Sequence, residues 1–303
     1  MRTTRMEACK DKKRVKQIEK RKELEILKKI EKKYIRVFGE LTMLRLVSSV
    51  KLPRCGFVPR YSPDLIRTPT SIIVCNNSAN ALEAYNWQTG ALLGSEHTGL
   101  WPVDLVHEPR MAGNARVVCL AEKHVPYVVL KYVVGVKTVA VPLPPSAGEP
   151  VAVAVGPTHA AVMCSKHGRH VCVMVHLVTL DVTHYFVPSL KSPPDSMLFS
   201  GEGTRLLLAA RKQIMIVQAE RGKVVQFSGG FQAGHLGISM NATKDVYVTD
   251  MRAQTLCVVK HGGAERSTAL KNLLHPTAVM CHEDLVHVLD YGRLNTYTHT
   301  QLK

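Results

Sequence analysis

The chain has 303 residues, of which 46% are hydrophobic and 21% charged, and it carries a formal net charge of +16. That apolar fraction supplies a sizeable core and excludes wholesale disorder. No apolar run reaches the roughly 18 residues needed to cross a bilayer; the nearest, around Tyr127 to Val141, is broken by Lys131 and Lys137. The N-terminal stretch has no apolar segment of the kind a secretory signal requires. The eight cysteines lack C-x-x-C spacing, and most lie inside apolar runs such as RVVCLAE and HVCVMV, where a thiol is a small core hydrophobe. The expectation is a soluble, cytoplasmic protein, with the nucleus as the alternative.

Residues 1–36 hold fifteen Lys/Arg against six Asp/Glu. From Lys10 to Val37 there is no Gly or Pro, and the Lys, Glu, Leu and Ile composition predicts a helix. Leu27, Ile30, Tyr34 and Val37 form a short 3-4-3 seam, too short for an independent coiled coil. Residues 1–38 therefore read as a basic helical extension, with Lys12, Lys13 and Arg14 as candidate contacts to RNA or to an acidic protein surface.

After Phe38-Gly39 the character changes to short β-rich runs separated by Gly, Pro, Asn and Asp. A run often led by proline recurs near residues 63, 102, 150, 194, 235 and 276. Each unit then shows a β-rich run, a polar turn and a second β-rich run, with turns centred near Asn77, Glu122, Ser165, Ala210, Asp250 and Asp290. Two phase markers keeping a beat of about 40 residues predict four strands per unit, the signature of a β-propeller. The last unit, from Pro276 to Lys303, has room for only three strands, while residues 41–50 form an orphan strand candidate. Pairing residues 41–50 against residues 294–300 would close the ring and remove two sheet edges. The predicted fold is all-β: a six-bladed β-propeller over residues 39–303 with an N-terminal α-helical extension.

The clearest unit, ATKDVYVTDMRAQTLCVV over residues 242–259, resembles an NHL repeat, with Asp250 before the turn and Arg252 in it. DLVHVLDYGR over residues 284–293 repeats the aspartate as Asp290 and sets its arginine, Arg293, one position later. The resemblance implies the propeller fold and is similar in order to tripartite-motif NHL proteins, where a helical segment precedes the propeller. The RING and B-box zinc ligands of those proteins are absent, so ubiquitin-ligase activity is not implied.

No G-x-S-x-G, H-E-x-x-H or phosphate-binding glycine loop occurs, and no nucleophile–base pair is visible. The expectation is accordingly no catalysis, no catalytic residues and no cofactor. Cys164, His167, His170, Cys172 and His176 form the densest set of zinc-type donors. His167-Gly168, however, reads as a two-residue hairpin tip that sends the cysteines into strands, and no metal site is expected. His235, His275 and His107 fall in or before the first strands of their units. Their places bear a partial likeness to the axial histidines of metal-dependent NHL lyases, which makes such a lyase the most distant reading.

In a propeller the turns joining second and third strands emerge on one face. Here they carry Lys123, Lys166 with Arg169, Arg211 with Lys212, Arg252 and Arg293. Such a ring of cations would attract acidic peptide segments or phosphate backbones. For Arg252 and Arg293 the bland expectation is a structural ion pair with Asp250 and Asp290. The functional expectation is a non-catalytic scaffold that binds a protein partner through this face and the basic helix. RNA binding on the same cations is the alternative, disfavoured by the scarcity of aromatics.

Overall fold

The structure, a computed structural model, describes residues 44–52, 65–67, 72–76, 79–97, 102–108, 117–122, 126–132, 137–187, 190–200, 203–232, 234–260, 266–282 and 284–299. The chain divides into Met1–Met43 and a compact unit Leu44–Lys303, and the description concerns the second. The expected N-terminal helix, with Lys12, Lys13 and Arg14, lies outside the described residues; among those described there is no helix.

The described residues form 24 strands in six four-stranded antiparallel sheets. Strand β1 is Leu44–Lys51. The first sheet is β2 (Leu65–Arg67), β3 (Ile72–Asn76), β4 (Ala81–Tyr85) and β5 (Leu92–His97). The second is β6 (Pro102–Glu108), β7 (Val117–Glu122), β8 (Tyr127–Tyr132) and β9 (Lys137–Pro142); the third is β10 (Glu149–Val155), β11 (His159–Lys166), β12 (Arg169–His176) and β13 (Val182–Phe186). The fourth is β14 (Ser196–Phe199), β15 (Arg205–Ala210), β16 (Gln213–Gln218) and β17 (Val224–Ser228); the fifth is β18 (Leu236–Met240), β19 (Val246–Asp250), β20 (Thr255–Val259) and β21 (Arg266–Leu270). The sixth joins β22 (Pro276–His282), β23 (Leu285–Asp290) and β24 (Arg293–His299) to β1. First strands pack in cyclic order, β2 on β6, then β10, β14, β18, β22 and back to β2.

This stacking explains why the second strands are largely apolar on both faces although the sheets are antiparallel. Each sheet is covered on both faces, so successive side chains enter different cores. On β15, Leu206, Leu208 and Ala210 join a cluster with Met163 and Cys172 of the third sheet. Leu207 and Ala209 join one with Leu236 and Val248 of the fifth. On β19, Val246 and Val248 point back to the fourth sheet, while Tyr247 packs forward among Val279, Val286 and Val288.

β1 and β24 are antiparallel, with Val50 opposite Leu294 and Lys51 opposite Arg293. The first and last described strands thus share one sheet, and Ser49 Oγ donates to Asn295 Oδ1 at 2.6 Å across the seam. A bulge between Leu46 and Ser48 twists this outermost strand, which blunts an exposed edge.

Candidate functional site

Strands alternate in direction within each sheet, so the start of its first strand, its second-to-third turn and the end of its fourth strand share one side. Lys166, Arg169, Arg211, Lys212, Arg252 and Arg293 lie on this side, at the second-to-third turns of four successive sheets, and all are exposed. Lys123 lies outside the described residues. The fold adds cations that spacing alone did not reveal: Lys51 at the end of β1, Lys191 before β14 and Lys271 after β21, all exposed. Lys51 could have been found by extending the expected closing ladder one step past Val50, onto Arg293.

The register sharpens the charge. Lys166 stands directly opposite Arg169 at the mouth of the third sheet's hairpin, and Lys51 directly opposite Arg293 in the sixth sheet. Like charges facing each other across strands oppose folding. The side chains find local acceptors: Lys166 Nζ donates to the Pro145 carbonyl at 3.3 Å and Arg293 Nε to Ser49 Oγ at 3.0 Å.

The expected pairing of Arg252 and Arg293 with the repeat aspartates is corrected by the geometry. Asp250 accepts the Gln232 amide at 2.6 Å and the Ala253 amide at 3.0 Å. Asp290 accepts the amides of Leu274 (3.0 Å) and His275. The aspartates are buried and engaged with the backbone entering the first strand of their own sheet, and among the described residues neither forms an ion pair with the arginine. The reason is position: the aspartate ends a buried strand, whereas the arginine sits on an exposed turn.

In the fourth sheet Ala210 occupies the aspartate's place, and Asp195 supplies the carboxylate from before β14 instead. It accepts backbone amides of Leu236 and Arg211, and burial pushes its pKa up to about 7. His235 Nδ1 lies 3.9 Å from Asp195 Oδ1. Burial pushes the His235 pKa down to about 4, while a hydrogen bond to the Thr277 backbone acts the other way. At neutral pH this is a neutral imidazole beside a carboxyl near its midpoint. His275, at the equivalent place one sheet on, stacks on Tyr291 with ring centroids 6.4 Å apart.

The zinc-type donors do not converge. Cys164 packs in the core toward the second sheet and Cys172 in the core toward the fourth, on opposite faces of their sheet. Burial pushes both thiols up to about 12, which keeps them protonated at neutral pH. His167 is the hairpin tip, with φ of 49°. His176 Nδ1 accepts the Thr179 amide at the far end of β12. Among the described residues no three His, Cys, Asp or Glu side chains are grouped to hold a metal ion. The side chain of His107 is outside those described.

No protein-family model matches the chain, and no curated protein matches it in sequence. Solved structures do match in fold. A streptogramin B lyase superposes with a TM-score of 0.60 at 13% identity, covering 86% of this chain and 88% of its own. The virginiamycin B lyase of Staphylococcus aureus, in a catalytically inactive form with quinupristin, gives 0.58 at 11% identity over 78% and 80%. A chain of the mitotic checkpoint complex gives 0.60 at 7% over 87% and 94%, and one of a nidogen/laminin complex 0.55 at 13% over 70% and 82%. The fold is a β-propeller.

These matches overturn one expectation. The lack of a catalytic motif in the sequence argues for a chain without enzymatic activity, yet structures similar to it include lyases. A propeller draws its axial residues from several blades about 40 positions apart, so a missing linear motif says nothing about catalysis on this fold.

Proposed function

We propose that the chain is an NHL-like, six-bladed propeller whose cation-rich face takes an acidic segment of a protein partner, and that the basic residues 1–38 add to the same attraction. The observation that carries this reading is the pair of like-charge cross-strand pairings, Lys166 opposite Arg169 and Lys51 opposite Arg293. Neither pairing helps the fold, and both concentrate charge where propellers present their turns. Lys191, Lys271, Arg211, Lys212 and Arg252 extend the field, and the aspartates beneath it are buried. Two of the similar structures, the nidogen/laminin and checkpoint assemblies, are propeller chains in complexes with other proteins. A cytoplasmic or nuclear location belongs to the same proposal.

The test is binding of a glutamate-rich peptide and of a mixed-sequence RNA of equal charge to the full chain, at low and near-physiological salt. The proposal expects the peptide to bind and to compete with the RNA. RNA binding that survives near-physiological salt, with a log–log salt slope of about −0.7 per neutralised phosphate and no competition by the peptide, would assign the face to nucleic acid. Such a result would remove the protein-partner reading.

A further inference from the structure

Tyr291 is the first residue of the two-residue turn between β23 and β24 and has φ of 49°. That region suits Asn, Asp and Gly, and a bulky side chain held there is strained. The residue is 63% exposed, so burial does not offset the strain. Leu274, in the segment that this turn bonds, is 58% exposed. The two are tied to the same corner: the Leu274 amide donates to Asp290, and the Tyr291 amide donates to the His275 carbonyl at 3.3 Å. Gln254 Nε2 holds the Leu274 carbonyl from the neighbouring sheet at 3.2 Å, and His275 supports the tyrosine ring from below.

We infer that Tyr291 and Leu274 are the apolar anchor of the cationic face, taking one aromatic or long aliphatic side chain of an acidic peptide. The inference rests on the reading of the face as a protein-partner surface. Charge complementarity sets the occupant. Lys271 precedes Leu274 by three residues, Arg293 follows Tyr291 by two, Lys51 stands opposite Arg293, and the carboxylate of Asp290 between the two apolar residues is buried and engaged with backbone amides. An apolar side chain flanked by carboxylates matches that surface. A nucleic acid strand would need a succession of flat stacking partners, and a leucine beside a single tyrosine does not provide them.

The experiment compares two labelled probes on the full chain: a glutamate-rich peptide with one central tryptophan, and the same peptide with alanine there. The anchor predicts that the tryptophan peptide binds about tenfold more tightly, a difference of ~1.4 kcal/mol. It also predicts that Tyr291→Asn and Leu274→Ser each erase most of that preference, bringing the ratio of the two affinities close to one. Asn suits the left-handed turn, so thermal unfolding of Tyr291→Asn at or above the parent temperature shows that the loss is not a folding defect. Equal affinities for the two peptides, or a preference untouched by Tyr291→Asn, overturn the anchor while leaving the cationic face intact. Failure of both peptides to bind overturns the partner reading itself. A Tyr291-dependent affinity for mixed-sequence RNA exceeding that for either peptide overturns both in favour of nucleic acid.

Discussion

The two faces of the ring solve different problems with the same residue types. On the face opposite the cations, turns satisfy themselves. Asn86 Oδ1 accepts the amides of Gln88 and Thr89. His176 accepts the Thr179 amide, and Asn241 the Asp245 amide. Lys260 is paired with Asp245 at 3.1 Å, and exposed acids such as Asp181, Glu220 and Asp284 are interspersed with bases. Its left-handed positions are Gly90, Gly203 and Gly222 together with Leu180 and Lys244. On the cationic face the second-to-third turns hold Asn80, His167, Arg211, Gln254 and Tyr291, together with Gly168 and Gly292, at positive φ, and lysine faces arginine twice. One face is built for the fold. The other sets lysine against arginine across two strand pairs, a repulsion the fold does not need and one that the proposed partner would relieve.

The contrast breaks hardest at the carboxylates beneath the cationic face. Asp290→Ala leaves two backbone amides without their acceptor and should cost about 3 kcal/mol in urea unfolding. Asp245→Ala, which removes the ion pair with the half-exposed Lys260, should cost no more than about 1 kcal/mol. Equal losses would erase the distinction between buried backbone caps and surface pairing.

The Asp195–His235 pair gives a pH test. Asp195 has its folded pKa raised to about 7, so its contribution is fully present below the usual carboxylate range and is lost as pH rises toward 7. His235 has its folded pKa lowered to about 4, so its contribution is present above about 6.5 and is lost as pH falls toward 4. Between pH 4 and 6.5 the two slopes oppose and stability should be nearly flat. Asp195→Asn should expose the histidine alone, with stability rising with pH by at most ~1.4 kcal/mol per unit in that window. A flat profile in the variant would show that His235 is not held neutral by burial.

Smaller effects separate the faces by function. Tyr291→Asn and Lys244→Asn both relieve a left-handed side chain, at φ of 49° and 66°, and each should gain about 1 kcal/mol in thermal unfolding. Only the first should alter peptide binding. Lys166→Glu turns a repulsive cross-strand pair into an attractive one. It should stabilise by a few tenths of a kcal/mol while weakening binding of an acidic probe.

Much of the architecture was legible because it repeats. A strand sandwiched between two sheets is apolar on both faces over most of its length, so the second strands stood out, and the polar turn after each kept the phase. The cations were found because they ride on those turns. Lys51 needed a register, which only the ladder to β24 provides. Tyr291 needed a backbone angle, which no composition reveals. Asp195 was hidden because Ala210 stands where the repeat puts its acid, and the carboxylate arrives from the opposite strand of the sheet. The role of Asp250 and Asp290 escapes the sequence for a related reason: spacing shows an acid two or three residues from an arginine, but not that the acid is buried under the turn.

The most direct test reverses charge on one face at a time. Lys166→Glu with Arg169→Glu and Arg293→Glu is compared with Arg205→Glu, Arg221→Glu and Lys223→Glu, exposed bases on the opposite side. Binding of a glutamate-rich peptide to each full chain at near-physiological salt is the readout. A loss of about tenfold or more confined to the first variant is the predicted result. An equal loss in both would reduce the attraction to overall net charge and contradict the assignment of the partner surface to the cationic face.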